Sequence, residues 1–525
     1  MVRRDEHRGV VVIGSGFGGA LAAWPLVHAG VDVLMLERGG HVERGPWNWE
    51  GEGTILSTPT YLDAPAFDAT TDRGTKERHQ YACVGGPSVF YGGISLRYRE
   101  EDFHPPAEIV GDSEAAWPWD YRTLAPWYDR AEAILGIAGR AGEDPTEPNR
   151  STPYPAGPAE LSEVSRRIAE AGRRLGLRPF RLPLAINHLE TDERRGCIEC
   201  ATCDTFACAI EAKNDIEVRV LRRLRERGLE LRPRSVVTRL LREGTRVVGM
   251  ECRDATTGAV HTIHADHVIL AGGALGTPHL LLASGLAEVN PAGGVIGRYL
   301  TRHCSGIVFG LHPWVSRFEG IFHKQIGFHD FYHGVDDARA PRGPLGSVQQ
   351  TQTPDIGTIR GELGGVAAAL LAPLARRITG LLTIAEDRPQ KANHVKLSSD
   401  EVDRFGMPRL AVVHRYADRD LAARAYLARR ARRIHREAGA IGWYTHTIDT
   451  FSHALGTVRM GVDPATSPLD GEGRFRGVEG LHISDGSALP TSAGVNPSLT
   501  ISAHALRVGE VVRSELAARS IGGTA

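Results

Sequence analysis

The chain has 525 residues, of which 62 are Lys or Arg and 63 are Asp or Glu, and 42% of it is hydrophobic. That length exceeds the roughly 50–250 residues of a usual domain, so two or more domains are expected and a small disulfide-held scaffold is excluded. A formal net charge of −1 argues against a chain-wide electrostatic grip on nucleic acid or anionic lipid, which draws on an excess of Lys and Arg.

The start, MVRRDEHRG followed by an apolar run, mimics a twin-arginine leader, but that run holds a glycine fingerprint and no small-residue cleavage site follows. No stretch offers the roughly 20 apolar residues that span a bilayer; residues 363–384 are interrupted by Arg376 and Arg377. Seven cysteines, an odd count, fit a reducing compartment better than a secreted framework. A soluble cytoplasmic protein with no nucleic-acid partner and no membrane span is the expectation.

Residues 9–13, GVVVI, are a β-branched run suited to a buried central strand. The run ends in Gly14-Ser15-Gly16-Phe17-Gly18-Gly19, a G-x-G-x-x-G turn that opens into an apolar helical segment containing Pro25. In such a unit one glycine permits the tight turn, one lets a pyrophosphate approach and one closes helix on strand. A second strand, VDVLMLE, ends at Glu37, 23 residues after Gly14, where a ribose-binding carboxylate belongs.

Residues 80–103 place Gly85, Gly86, Gly92 and Gly93 around aromatics without helical period, which predicts a loop against a ligand. One helix is expected within 117–136 and an Arg-laced amphipathic helix at 159–175. From 216 to 285, ELRPRS, VVTRLLR, RVVGMECRD, VHTIHA and HVILAGG read as short strands, the last returning beside the first strand of the chain. Residues 303–450 suggest a second domain with mixed strands, an amphipathic helix near 364–380 and a long basic-faced helix in VHRYADRDLAARAYLARRARRIHREAGA. At the end, His453 precedes a glycine turn, Asp485 ends a strand, and Asn496-Pro497 precedes a final helix.

Cys197, Cys200, Cys203 and Cys208 are spaced C-x2-C-x2-C-x4-C. Three readings stay open: thiolates for an iron-sulfur cluster, one residue off the ferredoxin spacing; ligands for a structural zinc ion; or metal-free thiols or disulfides.

The segments VVIGSGFGGA with Glu37, CVGGPSVFYGG, VILAGGALGTPHLLLASG, VIGRYLTRH, HALGTVRMG and LHISDGSALPTSAGVNPSLTISAHALR together resemble the glucose-methanol-choline (GMC) family of FAD-dependent oxidoreductases. The C-terminal motifs are most similar to the cholesterol oxidase branch, although Tyr91 stands where that branch has Asn. The Cys-rich segment resembles one in some alcohol oxidases and dehydrogenases. The resemblance implies an α/β fold: a Rossmann-type FAD-binding domain with a discontinuous second α+β substrate domain built on a mixed or antiparallel sheet. Residues 8–40, 80–104, 214–302 and 451–520 would form the first, 105–213 the connecting helices and Cys-rich segment, and 303–450 the second.

It further implies that FAD meets Gly14, Gly16, Phe17, Gly18, Gly19, Glu37 and Arg38, and then Gly85, Gly86, Ser88, Tyr91, Gly92 and Gly93. Val237, Ala271, Gly272, Asp485, Gly486, Asn496, Pro497 and Ser498 would complete the cofactor site. His453 and Asn496 would be the catalytic pair, positioning and deprotonating or polarising an alcohol whose hydride passes to flavin, with O₂ or an electron carrier as final acceptor. An additional base is not assigned by any motif, Glu362 and Glu386 being equal candidates. Two other classes share the expected fold: an FAD-containing lyase or isomerase, and a non-catalytic flavoprotein or electron carrier.

Overall fold

The computed structural model describes residues 5–49, 66–78, 81–200, 202–314, 324–352 and 377–522, together with positions 366, 369 and 374. β1 (Asp5–Ile13) forms at the β-branched run, and its Val10, Val11 and Val12 are fully buried. It pairs in parallel with β2 (Val33–Leu36) on one side and β9 (Val260–Leu270) on the other. β6 (Glu230–Arg232) extends the sheet in parallel beyond β2, and β17 (Leu481–Ile483) lies parallel to the end of β9. β7 (Ser235–Glu243) and β8 (Arg246–Asp254) add an antiparallel meander on the first half of β9. The segments VHTIHA and HVILAGG are therefore one strand of 11 residues, not two. No Gly, Pro or Asn separates them, so nothing stops the extended backbone.

A second sheet is antiparallel throughout, in the order β16 (Gly442–Thr447), β10 (Cys304–Leu311), β13 (Ile378–Ala385), β12 (Gly346–Thr351), β11 (Ile326–Phe328), β5 (Phe180–Arg181). The long basic helix, Asp418–Glu437, buries Ala423, Leu427, Ala431 and Ile434 in one core with Val308, Leu381 and Val348 of this sheet. Its apolar stripe follows helical period, which leaves Arg429, Arg433 and Arg436 exposed. Most of the helix expected near 364–380 lies outside the described residues, as does Glu362. From Ile378 the chain is strand, buried on both faces. A third sheet joins β14 (His394–Val402), β15 (Pro408–Val413), β3 (Phe67–Thr71) and β4 (Gly74–Arg78), with β15 and β3 parallel. No helix among the described residues is long and apolar enough to cross a membrane.

The first helix, Phe17–His28, continues through Pro25 and packs against the C-terminal helix, Ser498–Gly522. They cross at Gly509, where an added Cβ would lie 2.1 Å from the Ala22 carbonyl oxygen. The Gly509→Ala variant must push the helices apart, and a loss of about 1–3 kcal/mol is expected. Thermal denaturation checks this against Gly294→Ala, whose Cβ would meet nothing within 4 Å and should leave Tm unchanged.

Candidate active site

Three glycines of the first turn are required by packing of protein on protein. Gly14 has φ +100°, and a Cβ there would sit 2.3 Å from the Ala271 oxygen at the end of β9. A Cβ on Gly18 would come within 2.9 Å of the Ser484 oxygen, and one on Gly19 within 1.9 Å of the Gly14 oxygen. Gly16 differs: its Cβ would find only the Gly86 Cα, at 3.9 Å. The amide groups of the following helix have no side-chain cap, since Gly16 is its N-cap. A helix start with free N–H groups beneath an unfilled glycine face suits a phosphate. The residues present therefore fit a dinucleotide such as FAD.

Neighbouring side chains hold this turn. Buried Glu37 accepts hydrogen bonds from the Ser15 N–H (3.0 Å), the Ser15 hydroxyl (2.5 Å) and the Gly39 N–H (2.8 Å), and burial raises its pKa. Arg38 points elsewhere, 3.8 Å from Asp403 and over the Phe405 ring. Asp485 accepts from the Gly273 N–H (2.8 Å), the Thr277 hydroxyl (2.5 Å) and the Ser487 N–H (2.8 Å), which ties the helix start after Gly272 to the turn at Ser487. Gly85 and Gly86 fold their loop over Gly16, with φ +87° and +59°.

Several expected cofactor residues are engaged inside the protein. The Ser88 hydroxyl donates to the Gly85 oxygen and accepts from the Ile216 N–H. The Tyr91 hydroxyl donates to the Asn214 oxygen, while its ring meets Phe17 edge-on. Gly92 has no room for a Cβ beside Lys324 and Asp204, and Gly93 has φ +81°. Val237 is buried in β7. Pro497 and Ser498 open the C-terminal helix, with the Ser498 hydroxyl 3.5 Å from the Ile94 oxygen.

The late motifs converge around a residue whose role sequence reasoning missed. His303 Nδ1 lies 2.9 Å from His453 Nδ1, and His303 Nε2 lies 2.9 Å from the Ser492 oxygen. The carbonyl can only accept, so His303 Nε2 carries the proton and Nδ1 presents its lone pair. His453 must then donate from Nδ1, which leaves its Nε2 as a lone-pair acceptor with no partner in the described chain. Burial lowers the pKa of both rings, reinforced at His453 by the neighbouring His303. His303 is itself held in the left-handed region, at φ +62°, a strained conformation typical of functional sites. Its backbone oxygen accepts from the Tyr416 hydroxyl at 2.7 Å. The only sequence signal was its place in VIGRYLTRH.

Asn496 Oδ1 is buried without a hydrogen-bond partner. Such an acceptor costs about 1–3 kcal/mol unless a ligand donor meets it. Glu386 lies at the end of β13, where Ala385 is opposite both Cys304 and Gly346, and Gly346 abuts Gly494. Burial, followed by the negative Asp102, pushes its pKa up to about 8. Asp102 accepts from the Tyr332 hydroxyl (2.7 Å), which in turn accepts from the Gly494 N–H (3.0 Å). Burial raises the Asp102 pKa to about 6.

Among the described residues, Cys197, Cys200, Cys203 and Cys208 form no disulfide and do not gather as ligands of a single ion. All four are free thiols. Bonds of about 2.3 Å in a zinc tetrahedron require sulfurs roughly 3.8 Å apart. Among the described residues, only His267, His482 and Glu515 bring three such ligand atoms within 4.8 Å of one another. The Cys segment is instead fixed by its backbone: Lys213 donates to the Tyr91, Cys203 and Phe206 oxygens, and Gln352 accepts from the Cys203 and Asp204 N–H groups. Burial raises the Cys197 pKa to about 12.

Family models described as GMC oxidoreductase match residues 70–305 and 389–505. Paromamine 6'-oxidase of Streptomyces fradiae is 35% identical, covering 98% of this chain and 93% of the relative. The 6'''-hydroxyparomomycin C oxidase of Streptomyces lividus is 33% identical over the same shares, and 2-methyl-1,2-propanediol dehydrogenase of Mycolicibacterium austroafricanum is 28% identical, covering 98% and 96%. A crystal structure of pyridoxine 4-oxidase from Mesorbium loti shares the fold, with TM-score 0.62 and 21% identity, covering 96% of this chain and 98% of that one. The chain belongs to the GMC oxidoreductase family. It is an FAD-dependent enzyme that oxidises an alcohol, which sets aside the lyase, isomerase and non-catalytic readings. These relatives establish the family and not the cholesterol oxidase branch.

Because a Cβ on Gly16 meets only the Gly86 Cα at 3.9 Å, the Gly16→Ala variant should keep the wild-type Tm of the flavin-free protein and bind FAD at least about tenfold more weakly. Flavin fluorescence titration of the flavin-free protein checks it.

Proposed function

We propose that His453 takes the hydroxyl proton of the substrate at Nε2 while Asn496 holds the carbinol oxygen. The observation that carries this reading is the Nδ1–Nδ1 hydrogen bond between His303 and His453, which leaves Nε2 as acceptor. FAD, held by the Gly14–Gly19 turn, the 85–93 loop, Gly272 and the Asp485–Gly486 turn, supplies the hydride acceptor when bound. The base need not be strong, because a carbinol becomes acidic as its hydride leaves. His303 stabilises the imidazolium by accepting its Nδ1–H, the orienting role a third group plays for a catalytic base. Asn496 cannot take a proton. Its amide donates to the oxygen as carbonyl character develops, and its Oδ1 accepts from a bound donor.

We also assign the substrate to alcohols that carry an ammonium group. Burial pushes the pKa of Glu386 up to about 8 and that of Asp102 up to about 6, against the pull of Arg419 on the first and Arg99 on the second, both acids lying beside the 492–496 segment, so a further bound cation would relieve the cost of ionising them together. The names of the two relatives above 30% identity, one containing an amine and both ending in oxidase, agree with this class and with O₂ as acceptor. Free thiols agree with a cytoplasmic site of action.

His453→Ala should lower kcat by about 10²–10⁴ with flavin content unchanged. Its lowered pKa keeps His453 neutral and competent at pH 6–9, so the wild-type kcat profile should lack an acid limb at the ordinary imidazole value near 6.5. Glu386→Gln should reduce kcat/KM at least about tenfold for an amino alcohol such as paromamine and leave a neutral diol nearly unaffected, with H₂O₂ formed one for one with carbonyl product in the parent enzyme. Equal losses on both substrates would remove the ammonium assignment.

A further inference from the structure

We propose that His267, His482 and Glu515 form a structural divalent-cation site, best matched by zinc, that clamps the C-terminal helix to the central sheet. The three residues come from three elements that meet away from the substrate pocket. His482 on β17 lies opposite Ile269 of β9, and His267 is two residues before Ile269, so both rings stand on one face of the sheet. The C-terminal helix brings Glu515 over that face. Glu515 is 17 residues past Ser498, which puts it roughly 25 Å along the helix from the start near Asn496. A cation there is remote from the reacting groups and acts on structure.

Two independent observations point to a ligand. Both imidazoles are only 1% exposed, and no ring nitrogen makes a hydrogen bond of good geometry, His482 Nε2 and His267 Nδ1 facing only the Glu515 carboxylate. Unsatisfied buried nitrogens are costly and a cation would take up one on each ring, whereas both nitrogens of His303 and of His435 meet partners within the protein. The spacing is also that of ligands around a common centre. One Glu515 carboxylate oxygen lies 3.3 Å from His482 Nε2 and 3.6 Å from His267 Nδ1. The second distance is too long for a hydrogen bond, yet bonds of about 2.0–2.1 Å in a tetrahedron set ligand atoms roughly 3.3 Å apart.

The other Glu515 oxygen is held by Arg474 at 2.6 Å, the kind of outer partner that orients a ligating carboxylate. Arg474 is balanced by Glu472 and Asp470. Two imidazoles and one carboxylate favour a first-row transition cation over calcium or magnesium, and water completes the fourth position.

The test uses the flavin-loaded enzyme, stripped with chelator and titrated with zinc chloride and with cobalt chloride. One zinc per chain, a rise in Tm, and the visible absorption of tetrahedral cobalt, displaced by zinc, are the expected results. Glu515→Gln and His482→Gln should each weaken zinc binding at least about tenfold while flavin content is retained. If folded wild-type protein binds less than a fifth of an equivalent of either metal, or if Glu515→Gln binds zinc as the parent does, the site is overturned. The cobalt spectrum of the unsubstituted enzyme decides the matter even if a variant fails to fold.

Discussion

The structure depends on backbone meeting backbone at the C-terminal ends of β1, β9 and β17. Gly14 lies against Ala271, Gly18 against Ser484 and Gly19 against Gly14, each too closely for a Cβ. This approach joins segments from the two ends of the chain, so the turn proposed to bind phosphate and the segment proposed to act in catalysis are built on one edge. Asp485 and Glu37 then satisfy the polar groups that such close packing would strand, each accepting three hydrogen bonds.

The active site extends that frame across the domain boundary. In the second sheet, β10 starts at Cys304, directly after His303, and the end of β13 delivers Glu386 beside the same 492–494 turn. Bringing the His453 and Ser492 segments together through one strained histidine means that His453, the proposed proton acceptor, is oriented by the fold and not by substrate. Preorganisation of this kind is where an enzyme gains most from a fixed polar environment.

The parts legible in the sequence were those governed by local rules. The glycine turn, Glu37 at the end of β2, and the long basic helix each follow from steric permission or apolar period within a few dozen residues. The order of the second sheet was not legible because its pairings join residues far apart, such as Cys304 with Ala385 and Phe180 with Gly327. His303 escaped notice because its function exists only through His453, 150 residues away. The Cys segment left three readings open because spacing alone does not place sulfurs in space; its backbone is held by Lys213 and Gln352, residues outside the motif. Arg38 and Ser88, carried over by resemblance, make their visible contacts within the protein.

The central claim is that the fold sets the tautomer of His453 before substrate arrives. Ring-nitrogen NMR on protein labelled with ¹⁵N-histidine, with the His453 signals identified by their loss in His453→Gln, reads that directly. The account predicts a proton on Nδ1 and an unprotonated Nε2 at pH 7. A proton on Nε2 would contradict it.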